Sequence, residues 1–69
     1  MDTLEIICNG LPRTVPDGAT LSSLLEELNL NPGQVAVEYN GRIFSQEEFG
    51  RVTLEAGARL ELIRFVGGG

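Results

Sequence analysis

Two Asn-Gly dipeptides, Asn9-Gly10 and Asn40-Gly41, constrain this chain more than any other feature. Both central positions of a two-residue type I′ loop need positive φ, which Asn and Gly tolerate, so each dipeptide predicts a tight β-hairpin. The flanks agree. Before the first, Thr3 to Cys8 alternates, with Leu4, Ile6 and Cys8 on one face and Glu5 and Ile7 on the other. After it, Leu11 to Val15 should return antiparallel, and Pro12, which has no N–H for a ladder, sends that strand to a sheet edge. The second dipeptide joins a strand over Val35 to Tyr39 to a short one at Arg42-Ile43-Phe44.

Between the hairpins, Pro16-Asp17-Gly18 reads as a turn and Thr20 as the cap of a helix. Leu21, Leu24, Leu25 and Leu28 make one apolar stripe, with Ser22, Ser23, Glu26 and Glu27 behind it, and Asn31-Pro32-Gly33 is the expected stop. Ser45 and Glu48 have capping-box spacing, which predicts a short helical turn before Phe49 and Gly50. Val52 and Leu54 lead to a turn at Glu55-Ala56-Gly57. A last strand follows over Arg59 to Val66, with Leu60 and Leu62 facing in. This order places the first and last strands parallel at the centre of a sheet with the helix across one face. The expected class is α+β, a β-grasp with a mixed four- to five-stranded sheet and one main helix. Residues 1–66 form the domain and residues 67–69 a flexible glycine tail.

A chain of 69 residues has room for one core and no internal active-site cleft. Five arginines, no lysine and ten acids give a net charge of -5, which repels phosphate backbones and suits a partner with a basic docking surface. With no histidine and a single cysteine, neither an internal disulfide nor a metal site built on imidazole or thiolate pairs is available. A reducing, cytoplasmic setting fits. No apolar run approaches a membrane span, and Met1-Asp2-Thr3 lacks the basic start of a signal peptide. Cys8 reads as a small buried hydrophobe, Tyr39 and Phe44 as packing residues, and Glu26-Glu27 and Glu47-Glu48 as solvated helix faces.

The first hairpin, the segment Thr20-Leu21-Ser22-Ser23-Leu24-Leu25, the segment Val35-Ala36-Val37-Glu38-Tyr39-Asn40-Gly41-Arg42 and the ending Phe65-Val66-Gly67-Gly68-Gly69 resemble the ubiquitin-like sulfur carriers. Within that ThiS/MoaD family the likeness is to the members that serve thiamine biosynthesis, and it covers the whole chain. The resemblance implies a carrier protein, not an enzyme, whose reactive residue is Gly69. A ThiF-like adenylating enzyme, using ATP and Mg²⁺, would activate the terminal carboxylate. A sulfur donor such as a cysteine desulfurase would supply the sulfur, and a ThiG-like thiazole synthase would consume the resulting thiocarboxylate. No cofactor is bound by the carrier itself. Gly68, and with less weight Gly67, would let the tail thread a narrow channel, since neither carries a Cβ. Carriers for molybdopterin or tRNA thiolation, a protein modifier, and a plain interaction module stand as alternatives; no nucleic acid or membrane partner is expected.

One expectation comes from alternation alone. If Leu60 and Leu62 face the core, Ile63 and Phe65 face solvent, and Ile7 does the same on the adjacent strand. With Val66 this predicts an apolar docking patch at the base of the tail, placed there for the activating enzyme.

Overall fold

The computed structural model of the chain describes residues 2–65. β1 (Thr3–Cys8) and β2 (Leu11–Pro16) form the first hairpin, with Cys8 opposite Leu11 and Thr3 opposite Pro16. At its tip Asn9 and Gly10 have φ of 52° and 82°, the left-handed pair that a type I′ loop needs. β3 (Val35–Tyr39) and β4 (Arg42–Phe44) repeat the device, with Asn40 and Gly41 at 51° and 87°. β5 (Arg59–Arg64) lies between the two hairpins, parallel to β1 and antiparallel to β3. The sheet order is β2-β1-β5-β3-β4, so Pro12 sits on an edge strand as its missing N–H requires. This is an α+β β-grasp, a five-stranded mixed sheet with one main helix.

That helix is α1 (Leu21–Glu27). Thr20 caps it: its hydroxyl accepts from the Ser23 N–H at 3.1 Å, and Ser23 Oγ accepts from the Thr20 N–H at 2.9 Å. Serine thus fills the reciprocal role usually given to Glu or Gln. Leu21, Leu24 and Leu25 are buried against the sheet. The helix stops before the expected Asn31-Pro32-Gly33. Asn29 turns left-handed, with φ of 60°, and the Leu30 N–H reaches the Leu25 carbonyl at 2.9 Å while the Asn29 N–H reaches Glu26. That pair of bonds is a Schellman stop, and Asn is the commonest substitute for Gly at its left-handed position. Asn31 instead caps a 3₁₀ turn over Pro32–Gln34, its Oδ1 accepting from the Gly33 N–H at 2.9 Å.

A second 3₁₀ segment, Gln46–Arg51, carries Phe49 into the core, where it is 1% exposed. The Ser45 N–H and hydroxyl both donate to Glu48 Oε1 at 3.0 Å, which fixes the entry to this segment. Phe49 packs with Ile6, Leu21, Leu24, Leu25, Val37, Leu54 and Leu60 in one cluster that joins sheet and helix. The loop before β5 is tied to the helix start, because the Leu21 N–H donates to Val52 at 3.1 Å and the Leu54 N–H to Ala19 at 2.8 Å.

The last strand, expected over Arg59 to Val66, ends at Arg64. Its antiparallel partner begins only at Val35, after the 3₁₀ turn, so the ladder runs out there. Phe65 makes one further bond, its N–H donating to the Gln34 carbonyl at 2.9 Å. Val66 and the predicted tail Gly67-Gly68-Gly69 lie outside the described residues.

Candidate functional site

The strand that leads to the glycine tail is held on both sides. The Ile7 N–H donates to Ala58 and the Asn9 N–H to the Leu60 carbonyl, at 2.8 and 2.9 Å, while the Asn40 N–H donates to Arg59 at 2.8 Å. Only two residue pairs, Ile7 with Arg59 and Cys8 with Leu60, join β1 to β5 before β1 turns away. Beyond that point β5 is supported from the β3 side, by pairs that run from Tyr39 opposite Leu60 to Val35 opposite Arg64. The bond from Phe65 to Gln34 is the last tie among the described residues.

Alternation places Leu60 in the core, 1% exposed, and Leu62 partly buried on the same face. Ile63 and Phe65 are on the opposite face, 49% and 60% exposed. Ile63 stands directly across from Ala36. Ile43 pairs with Glu38, on the same outer face, and is 69% exposed. The exposed apolar side chains nearest the end of β5 are therefore Ile63 and Phe65, with Ile43 across β3, beyond Glu38. Sequence reasoning passed over Ile43, although the two-residue loop at Asn40-Gly41 already fixes its pairing with an outward-facing glutamate.

Ile7 sits elsewhere. It is half-buried and pairs with Arg59, four residues back along β5 from Ile63, roughly 13 Å at strand spacing. Arg59 and Glu61 occupy the outer face between them, and Glu61 faces Glu38 directly. The structure thus groups Ile63 with Phe65 and separates Ile7 from both by a charged interval. Val66, Gly67, Gly68 and Gly69 fall outside the described residues.

Cys8 is partly buried at the edge of the core, and burial pushes its thiol above the ordinary value of 9.0 against a smaller opposing pull from the Arg13 charge. A neutral thiol packed in this way is a poor nucleophile. Tyr39 and Phe44 meet edge to face with centroids 6.2 Å apart, and the Tyr39 hydroxyl accepts from the Glu55 N–H at 3.0 Å, so both are packing residues. Among the described residues no three Cys, Asp or Glu side chains gather where a metal ion would fit, and no helix is long and apolar enough to cross a membrane.

This architecture is shared with solved structures. A crystal structure of the thiamine biosynthesis protein ThiS from Geobacter metallireducens superposes with a TM-score of 0.81 at 32% identity, over 96% of this chain and 100% of that one. A solution NMR structure of a thiamine biosynthesis protein from the same organism gives 0.79 at 32% identity, over 96% of this chain and 88% of the other. In sequence, the chain is 38% identical over 66 residues to a thiazole synthase of Magnetococcus marinus and 33% identical to one of Paramagnetospirillum magneticum. Each match takes in 96% of this chain but only 20% of the relative, so the chain spans about a fifth of the length of those synthases. The model of the ThiS family matches residues 5–69, from β1 through the last glycine, and the chain belongs to that family.

Proposed function

We propose that this protein is a sulfur carrier for thiazole formation in thiamine biosynthesis and that the carboxylate of Gly69 is its working group. A carboxylate resists attack by sulfur because its leaving group would be an oxide. An oxygen of Gly69 attacks the α-phosphorus of ATP on a ThiF-like enzyme, pyrophosphate departs, and an acyl-adenylate forms. The outer sulfur of a persulfide formed by a cysteine desulfurase then attacks the Gly69 carbonyl carbon and AMP departs, and a thiol attacks the donor sulfur of the resulting acyl disulfide, forming a new disulfide and releasing the thiocarboxylate. ATP and Mg²⁺ belong to the activating enzyme. The carrier's part is to hold the carboxylate at the end of a narrow tether, where Gly67 and Gly68 add length without a Cβ to obstruct a channel.

The observation that carries this reading is the match to the ThiS family, which extends through Gly69 and so includes the glycine ending. The neighbours described as thiamine biosynthesis proteins support the pathway, and the relatives named thiazole synthase support such an enzyme as the consumer of the sulfur. Ile63 and Phe65, exposed together on the outer face at the end of the last strand, are proposed as the docking contacts for the activating enzyme, without Ile7, which the register sets apart from them.

The test is intact-mass spectrometry after incubation with a ThiF-like enzyme, ATP and a sulfur donor. The expected result is replacement of one oxygen by sulfur at Gly69, lost when Gly69 is deleted. Sulfur loading that persists in the truncated chain would overturn the assignment, and transfer from the loaded chain to purified thiazole synthase identifies the pathway.

A further inference from the structure

Where β1 turns away at Asn9, one edge of β5 is left open. Phe65 and Arg59 direct their backbone bonds toward β3, as their ties to Gln34 and Asn40 show. In an antiparallel ladder these directions alternate, so Leu60, Leu62 and Arg64 point theirs toward β1. The Leu60 carbonyl is taken by the Asn9 N–H and the Leu62 N–H by Asn9 Oδ1, at 2.8 Å. The next groups along that edge, the Leu62 carbonyl and the Arg64 N–H, have no backbone partner among the described residues.

Beside this edge is a mainly apolar groove of about 400 Å³, bounded by Cys8, Leu11, Leu28, Leu30, Leu62 and the two arginines Arg13 and Arg64. It lies on the helix side of the sheet: Arg13 pairs with the buried Ile6, and Arg64 shares the face of Leu60 and Leu62. It is therefore distinct from the outer surface that carries Ile63 and Phe65. Leu11, at its rim, is 69% exposed. Of five arginines in a chain of net charge -5, two converge here. Arg13 spends one nitrogen on Glu27, at 3.2 Å, but its Nε–H is buried with no acceptor, and Arg64 has no ion-pair partner among the described residues.

An open strand edge recognises backbone, an apolar floor recognises a side chain, and the guanidinium groups recognise a carboxylate. We propose that the Leu62–Arg64 edge and this groove receive an extended, acidic polypeptide segment of a partner protein, which adds to β5 as a strand in line with β1. Its backbone takes the Leu62 carbonyl and the Arg64 N–H, one apolar side chain enters the groove, and a carboxylate sits between Arg13 and Arg64. The site is independent of the chemistry at Gly69.

The experiment titrates ¹⁵N-labelled protein with an end-blocked peptide of about six residues that alternates valine and glutamate, the length of an ordinary strand. Shifts at Leu62 and Arg64, slowed exchange of the Arg64 amide and a shifted Arg13 Nε–H are expected. Arg64→Glu should weaken binding about tenfold, while Arg51→Glu, the same charge change on the 3₁₀ segment, leaves it unaltered. The proposal is overturned if the peptide perturbs only Ile43 and Ile63 on the outer face. It is equally overturned if glutarate alone reproduces every shift, if a backbone N-methylated peptide binds as well, or if millimolar peptide produces no response.

Discussion

The side chain of Asn9 completes the ladder that its own backbone abandons. Asn9 enters the left-handed region with φ of 52° and leaves the sheet, yet its Oδ1 accepts from the Leu62 N–H at 2.8 Å. Asn40 does the same on the other side of β5, accepting from the Arg59 N–H at 2.9 Å. Each Asn therefore serves as turn residue and strand clamp together, whereas glycine at the same position would supply only the turn. Asn9→Gly is expected to lose about 1 kcal/mol in urea unfolding, the usual net worth of one such bond, and to speed exchange of the Leu62 amide. Asn9→Asp, which keeps the acceptor, should lose much less. Equal losses for the two variants would show that Asn9 acts through the turn alone.

The paired roles of Asn9 and Asn40 mark what the sequence makes legible and what it does not. Local chemistry foretells both hairpins, because φ > 0 at two successive positions leaves few residue choices, and the leucine stripe of α1 follows from its period. The strand order follows too, since a hairpin at each end and one crossing helix leave the centre for β5. The helix stop at Asn29 is harder to read, because Asn31-Pro32-Gly33 sends the stronger breaker signal two residues later. The separation of Ile7 from Ile63 depends on the β1–β5 register, which comes from long-range pairing and not from any nearby residue. Alternation gives the face of a side chain; only register gives its neighbours.

That register makes unequal predictions for the docking residues. Ile63→Glu should lower kcat/KM for adenylation by about tenfold, the loss expected for one well-placed interface side chain, with thermal unfolding unchanged because Ile63 is already 49% exposed. Leu11→Glu alters a comparably exposed residue on the opposite face and should leave adenylation unaffected. Steady-state pyrophosphate release measures both. Normal kinetics for the Ile63 variant would remove that side chain from the proposed interface.

Phe49 is the residue on which the second half of the chain closes over the core. It is 1% exposed and is delivered by a 3₁₀ segment with few other apolar anchors. Truncating a buried phenylalanine to alanine costs about 3–5 kcal/mol, against a total of about 3–10 kcal/mol for a domain of this size. Phe49→Ala should therefore abolish or severely depress the cooperative thermal transition seen by circular dichroism, and Phe49→Leu should only lower its midpoint. A Phe49→Ala variant that melts like the parent would mean that the 3₁₀ segment contributes little to the core.

Glu48 ties the start of that same segment to pH. The hydrogen bonds from the Ser45 N–H and from its hydroxyl, aided by Arg42 and Arg51, hold the Glu48 carboxyl below its ordinary value of 4.5. A group whose pKa is lower folded than unfolded stabilises the fold fully above the unfolded value, and loses that contribution as pH falls through the folded one. The stability gap between the parent and Glu48→Gln should thus be present at neutral pH, shrink below 4.5 and vanish in stronger acid, where the parent's carboxyl is also uncharged. Glu48 lies at the surface, only partly covered, where solvent screens its charge, so the gap will be small and is best read as its dependence on pH. Urea midpoints of the two proteins across this range decide the matter. A gap that stays constant from neutral to acid would assign the cap to hydrogen-bond geometry, with no part for the charge.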